Sequence, residues 1–303
     1  MKKHVFLFLS VLLLFGCGEQ GQNQKTNNDQ PEVQEVTVQE VPPVYVLSDK
    51  LGEKFLLLAY LGDDETPRIP DSLSSYKYII YNGRYYPVTL EGFQFEDEEN
   101  NNYRETYFNF DNLSGYLFKM QNGKLLENPV DEFDAVWDAP LLVDEKFKTE
   151  NTIYPLSNYE NGRREISDMP EALKKAFEER YNRKIIRGWC NAVFGENNAY
   201  QFVNMQFKNK GDEALGVSAL VKNDEILAVI EDYAVWNEES VWRVDDGGEF
   251  GGMSIDLVTE KDGVLTIYTA DSGPEGTFYQ NYHLIDGVFY GGTVYASFYQ
   301  APY

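Results

Sequence analysis

The sequence predicts an α+β fold dominated by antiparallel β-sheet, and three observations carry that reading. Aromatic residues make up 15% of the chain, with 22 Tyr and 19 Phe, a composition that suits pleated, half-buried surfaces. Asn-Gly and Asp-Gly pairs recur between segments of strand-forming residues, and both members of such pairs tolerate positive φ in tight hairpin turns. A single amphipathic helical pattern opens near residue 168, and strand-like segments follow it.

The N-terminus reads as an export signal. Met1-Lys2-Lys3-His4 is followed by an apolar run from Val5 to Phe15 broken only by Ser10. That run is too short to span a bilayer as a helix, and a cationic start before a short apolar stretch is a secretory pattern. Leu14-Phe15-Gly16-Cys17 resembles the lipobox of bacterial lipoproteins, with Phe15 standing where small residues are commoner. The resemblance implies cleavage before Cys17 and lipidation of its sulfur. Several acyl chains would then hold the protein stably to a membrane. Gly18 in place of Asp resembles cargo sent to the outer membrane, if the organism has one. Gly18 to Pro43 has no apolar period and contains Pro31, Pro42 and Pro43, so it reads as a flexible tether. At about 3 Å per extended residue it could hold the body several nanometres from the bilayer.

Residues 44–157 read as a β-hairpin-rich domain. Tyr76–Tyr81 and Arg84–Val88 flank Asn82-Gly83, which predicts a hairpin. A second is expected where Gln121-Asn122-Gly123-Lys124 separates Tyr116–Met120 from Leu125-Leu126. A third would pair Phe93-Gln94-Phe95 with Tyr107–Phe110 across the acidic, Asn-rich stretch 96–102. Periodicity fades between 127 and 167, where a domain boundary is expected.

Residues 158–303 read as a helix with an antiparallel sheet. Asp168 and Glu171 form the pattern of a capping box, with Pro170 in the first turn. Met169, Leu173, Ala176, Phe177 and Tyr181 make one apolar stripe, and Asn182 is the expected stop. Segments 184–193, 199–207, 214–221 and 225–231 read as strands, the last two joined at Asn223-Asp224. Packing the helix on such a sheet buries one face and would leave the other to solvent. The run Met169–Tyr181, with Tyr200-Gln201-Phe202 and Leu227, resembles the PepSY-like repeats of exported bacterial proteins over residues 168–232. Longer turns at 195–198 and 210–215 depart from that pattern. The resemblance implies a binding or inhibitory module without a catalytic set. From Asp245 to 303 a Gly-punctuated β meander follows.

Composition narrows the chemistry. The chain carries 26 Lys+Arg against 50 Asp+Glu, a formal −24. Removing residues 1–16 deletes Lys2 and Lys3 and no acid, which gives −26. Such charge argues against nucleic acid and favours a basic partner or divalent cations. With Cys17 lipidated, Cys190 has no partner, so no intrachain disulfide is expected. After cleavage His283 is the remaining histidine, which leaves too few N/S ligands for a zinc site. A Cys190–His283 pair is conceivable, but Cys190 sits in an apolar strand where thiols are usually inert. Asp245, Asp246 and Glu249 in a Gly-rich turn are calcium candidates, as is the run Glu96-Asp97-Glu98-Glu99, although neither matches a cation-loop motif. Paired carboxylates could hydrolyse sugars, and Trp137, Trp189, Trp236 and Trp242 could stack on them; Trp236 and Trp242 would face each other across a hairpin. No catalytic residue and no cofactor is assigned. The expectation is a non-catalytic, lipid-anchored binding module of the cell envelope, with two alternatives: an inhibitor of a basic hydrolase, or a glycan-binding or glycan-hydrolysing surface protein.

Overall fold

The computed structural model describes residues 41–60, 68–129, 139–160, 163–164, 166–243, 246–273 and 275–300. Cys17, Trp137 and Asp245 lie outside the described residues. So do the export signal and all of the tether but its last residues.

The first seven strands form one sheet that nearly closes into a barrel. They are β1 (Val44–Tyr45), β2 (Leu47–Ser48), β3 (Lys54–Leu58), β4 (Tyr76–Tyr81), β5 (Arg84–Gln94), β6 (Gly115–Met120) and β7 (Leu141–Asp144), in the order β1-β7-β4-β5-β6-β3-β2. Closure depends on residues 44–48. Val44 and Tyr45 pair with Leu142 and Leu141 on one side, and Leu47 and Ser48 pair with Leu56 and Phe55 on the other. Alternation follows from the pleat. Val46, Phe55, Ile79, Val88, Phe118 and Leu142 are buried in one cluster, while their neighbours Tyr45, Leu47, Leu56, Ile80, Leu141 and Val143 belong to another. Val41 joins the first cluster and the Pro42 carbonyl accepts the Tyr76 hydroxyl, so these two residues, expected at the end of the tether, belong to the folded unit.

Asn82 and Gly83 adopt φ values of 47° and 66° between β4 and β5, as their hairpin requires. The other two expected hairpins do not form. β6 already has β3 and β5 on its two sides, so no edge is left for Leu125 and Leu126. Their N–H groups donate instead to the carbonyls of Gly52 and Leu51. Phe93 and Gln94 pair with Tyr116 and Gly115 at the end of β5. Residues 107–110 turn inward so that Phe110 and Leu113 reach the core, and the Gln94 amide donates to both of their carbonyls.

A short helix, α1 (Glu145–Glu150), leads to β8 (Thr152–Tyr154). The two-residue strands β9 (Tyr159–Glu160) and β10 (Arg163–Arg164) pair with each other, and β11 (Ser167–Asp168) pairs with β12 (Ile185–Phe194). Helix α2 (Glu171–Tyr181) lies between β11 and β12. Asp168 does not cap it. Met169 precedes proline and is therefore held extended, which keeps Asp168 in the strand opposite Trp189. The N-cap is Pro170, which makes no side-chain capping bond. Asn182 ends the helix in the left-handed conformation, as expected, with its N–H aimed at the carbonyls of Glu178 and Glu179.

The sheet continues through β13 (Tyr200–Phe207), β14 (Glu213–Lys222) and β15 (Glu225–Val235), in the order β11-β12-β13-β14-β15. A second five-stranded sheet comprises β16 (Ile255–Lys261), β17 (Val264–Ser272), β18 (Gly276–Ile285) and β19 (Val288–Tyr299), with β8 beside β16. Asp262-Gly263 turns β16 into β17, Asp286-Gly287 turns β18 into β19 and Asn223-Asp224 turns β14 into β15, all at positive φ.

Packing is layered. Helix α2, with Met169 just before it, covers one face of the β11–β15 sheet through Met169, Leu173 and Phe177 against Val203, Met205, Phe207 and Val217. The opposite face does not meet solvent. Ala192, Phe194, Phe202 and Leu220 pack there against Ile255, Val258, Leu265 and Ile267. The far face of the β16–β19 sheet, through Leu257, Tyr268, Ala270, Tyr279 and Phe298, packs on the outside of the barrel. Residues Gln39–Tyr303 therefore form one compact unit, and no separate units meet at the expected 157/158 division. β8 lies before that point and pairs with β16 beyond it, which is the physical reason.

Candidate functional site

An irregular segment, residues 246–254, crosses the face of β13 and β14 that α2 does not cover. Three side-chain amides on the sheet hold its main chain and the first residue of β16. Gln206 donates to the Gly248 carbonyl at 2.7 Å and accepts from the Phe250 N–H at 3.1 Å. Asn204 donates to the Met253 carbonyl at 2.9 Å and accepts from the Met253 N–H at 3.1 Å. Asn191 accepts from the Ile255 N–H at 2.8 Å. Ser218 fixes the Asn204 amide by donating to the same Oδ1 at 2.7 Å. Each buried amide is thus satisfied by main chain, in place of the ladder that a neighbouring strand would supply.

Close approach sets the glycines here. A Cβ on Gly216 would stand 2.4 Å from the Phe250 ring, and one on Gly252, at φ +66°, would stand 2.5 Å from Asn204 Cγ. Phe250 sits 5.2 Å from Trp242 and 6.4 Å from Trp189, and the Arg187 guanidinium lies 4.8 Å from the Trp189 ring centroid. Trp236 and Trp242 do not face each other across a hairpin. β15 ends at Val235, Trp236 packs over Gly248, and Trp242 packs on Phe250.

The acidic residues of this turn are engaged by the protein itself. The Asp246 carboxylate accepts the N–H groups of Val241, Trp242, Arg243 and Gly248 at 2.7 to 3.2 Å. Burial pushes its carboxyl up, but those four donors outweigh burial and hold it below the usual aspartate range. Glu249 pairs with Arg187 at 2.8 Å. Both Asp246 oxygens are therefore spent on main-chain donors, which a cation would have to displace. In the run Glu96–Glu99, Asp97 accepts from the Glu99 N–H and the Asn100 amide, and Glu96 accepts from Asn101. Among the described residues no group of three or more His, Cys, Asp or Glu is placed to hold a metal. Added calcium is expected to leave the melting temperature unchanged; a rise of several degrees, lost in Asp246→Asn, would contradict this.

Cys190 and His283 lie on different sheets. Cys190 is buried under α2, where burial pushes its thiol up, and its Sγ contacts the Ala192 carbonyl at 3.5 Å. His283 Nδ1 pairs with Thr266 Oγ1 at 2.9 Å. Cys190→Ala and His283→Gln are each expected to cost about 1–2 kcal/mol, read by urea unfolding. A cost in the double variant well above the sum of the two would reveal a coupling that the separate sheets exclude.

No family model matches the chain. Nor does any curated protein or solved structure.

Two features at this end of the sheet have only weak signals in the sequence. Asn204 and Gln206 alternate with the apolar Val203, Met205 and Phe207, which puts both polar side chains on one face of the strand. The second is the exposed end of β15. The Asp232 carbonyl accepts the Trp242 indole N–H at 3.3 Å, while desolvation raises its carboxyl. Among the described residues that carboxylate has no hydrogen-bond or ion-pair partner.

Proposed function

We propose that this chain is a lipid-anchored cell-envelope protein whose folded part binds a basic protein partner without catalysing a reaction. The observation that carries the reading is the acidic, partly apolar end of β15 and the turn after it. Glu231, Asp232, Glu238 and Glu239 lie there beside exposed Tyr233, Val235 and Trp236. The formal −24 supports the same partner class, because long-range attraction of a basic protein scales with such charge. The lipobox-like Leu14–Cys17 supports attachment. The PepSY-like run 168–232 supports a binding or inhibitory role, and a basic envelope hydrolase is one partner that fits. A glycan ligand is the second reading, favoured by exposed Phe95, Tyr103 and Phe108 in the β5–β6 connection.

Two measurements test this. Cys17→Ser is expected to move the protein from the membrane to the soluble fraction, and absence of a fatty-acid label on the wild-type Cys17 would refute the anchoring. Immobilised protein is expected to capture a basic muramidase at low salt and to lose about tenfold in affinity by 0.3 M salt. Glycan binding that ignores salt, with no capture of the basic protein, would select the second reading.

A further inference from the structure

We infer that the C-terminal half of β15 is a docking edge for an extended, lysine- or arginine-rich peptide segment, which would add to the sheet as a sixth strand. The inference rests on the binding reading above and names its surface. β15 is the last strand of its sheet and pairs only with β14. An edge strand presents unpaired main-chain donors and acceptors, and strand addition uses them for affinity while alternate side chains set specificity.

The two halves of β15 differ. Near its start the β18–β19 hairpin comes close, since a Cβ on Gly287 would lie 3.3 Å from the Leu227 carbonyl. Beyond Ile230 the strand opens to solvent. Tyr233 is 54% exposed, Val235 77% and the following Trp236 37%. Tyr233 and Val235 share one face of the strand, where they can pack on every second side chain of an added segment.

Charge chooses the occupant. From Asn223 to Ser240 the acids are Asp224, Glu225, Glu231, Asp232, Glu238 and Glu239, and there is no Lys or Arg. Two like-charged edges side by side repel, which disfavours a second copy of this chain. A basic segment is attracted, and the uncompensated Asp232 carboxylate gains a cation.

The test uses the full chain and a capped peptide of about ten residues alternating lysine and valine, with a glutamate–valine peptide as control. The lysine peptide is expected to bind and to slow hydrogen exchange of amides within residues 230–235. Asp232→Lys with Glu238→Lys should weaken it about tenfold, whereas Glu98→Lys with Glu99→Lys, the same charge change on the barrel, should cost less than about threefold. The exchange measurement needs no variant, so it stands even if a substitution unfolds the protein. Equal loss in both pairs, or protection confined to another element, overturns the edge while leaving the binding reading intact. No binding of any basic ligand overturns both. Concentration-dependent dimerisation that the lysine peptide does not disturb, with β15 protected in the dimer, also overturns the assignment of a basic peptide to this edge.

Discussion

Asn204→Ala is expected to destabilise the protein by about 3 kcal/mol, because it orphans three partners at once, one buried and two partly buried. The Met253 N–H, the Met253 carbonyl and the Ser218 hydroxyl all meet this one amide, and Asn204 is fully buried between β14 and the segment that crosses it. Urea unfolding reads the loss, and hydrogen exchange at Met253 should accelerate more than exchange in the barrel strands. Adding Ser218→Ala should recover about 1 kcal/mol, since the hydroxyl then no longer waits unpaired. A loss below about 1 kcal/mol would mean that segment 246–254 is not held by the sheet's amides.

Asp246→Ala is expected to cost about 2–3 kcal/mol, since four main-chain N–H groups lose a common anionic acceptor. Asp246→Asn should cost less, because one oxygen remains to accept. The pH dependence has a definite sign. The folded carboxyl titrates below its unfolded value, near 3.9 in peptides, so its contribution is complete above that value. It is lost as pH falls through the lower, folded value. The stability gap between wild type and Asp246→Ala should therefore be constant from neutral pH to about 4 and shrink below it. Tryptophan emission follows the same change, because Trp236 and Trp242 both pack on this turn. A gap that widens in acid would contradict the assigned role.

These two side chains show where reading the residues stops. Asp246 looks like a cation ligand in a Gly-rich turn, because acids beside glycines suit both a metal loop and a main-chain cap. Only the fold shows that Val241, Trp242, Arg243 and Gly248 aim their N–H groups at it. Asn204 and Gln206 are visible as polar residues in an apolar strand. Their main-chain partners lie more than forty residues away, across a connection without regular period. The edge of β15 is likewise invisible until the strand order is known, since an edge strand and a central strand can share one composition.

What the residues determine by themselves is local. Asn82-Gly83, Asn223-Asp224, Asp262-Gly263 and Asp286-Gly287 turn the chain because these side chains accept positive φ cheaply, and each does so here. The helix Glu171–Tyr181 follows from its stripe and its Asn182 stop. Tertiary structure decided the rest. β6 finds β3 and β5 instead of the nearby Leu125-Leu126, residues 44–48 close the barrel by pairing in two directions, and Pro170 moves the helix start past Asp168. Strand pairing is a competition among distant partners for the same main-chain groups. Its outcome depends on which arrangement buries Phe110, Leu113 and Tyr279 together, and no window of neighbouring residues contains that sum.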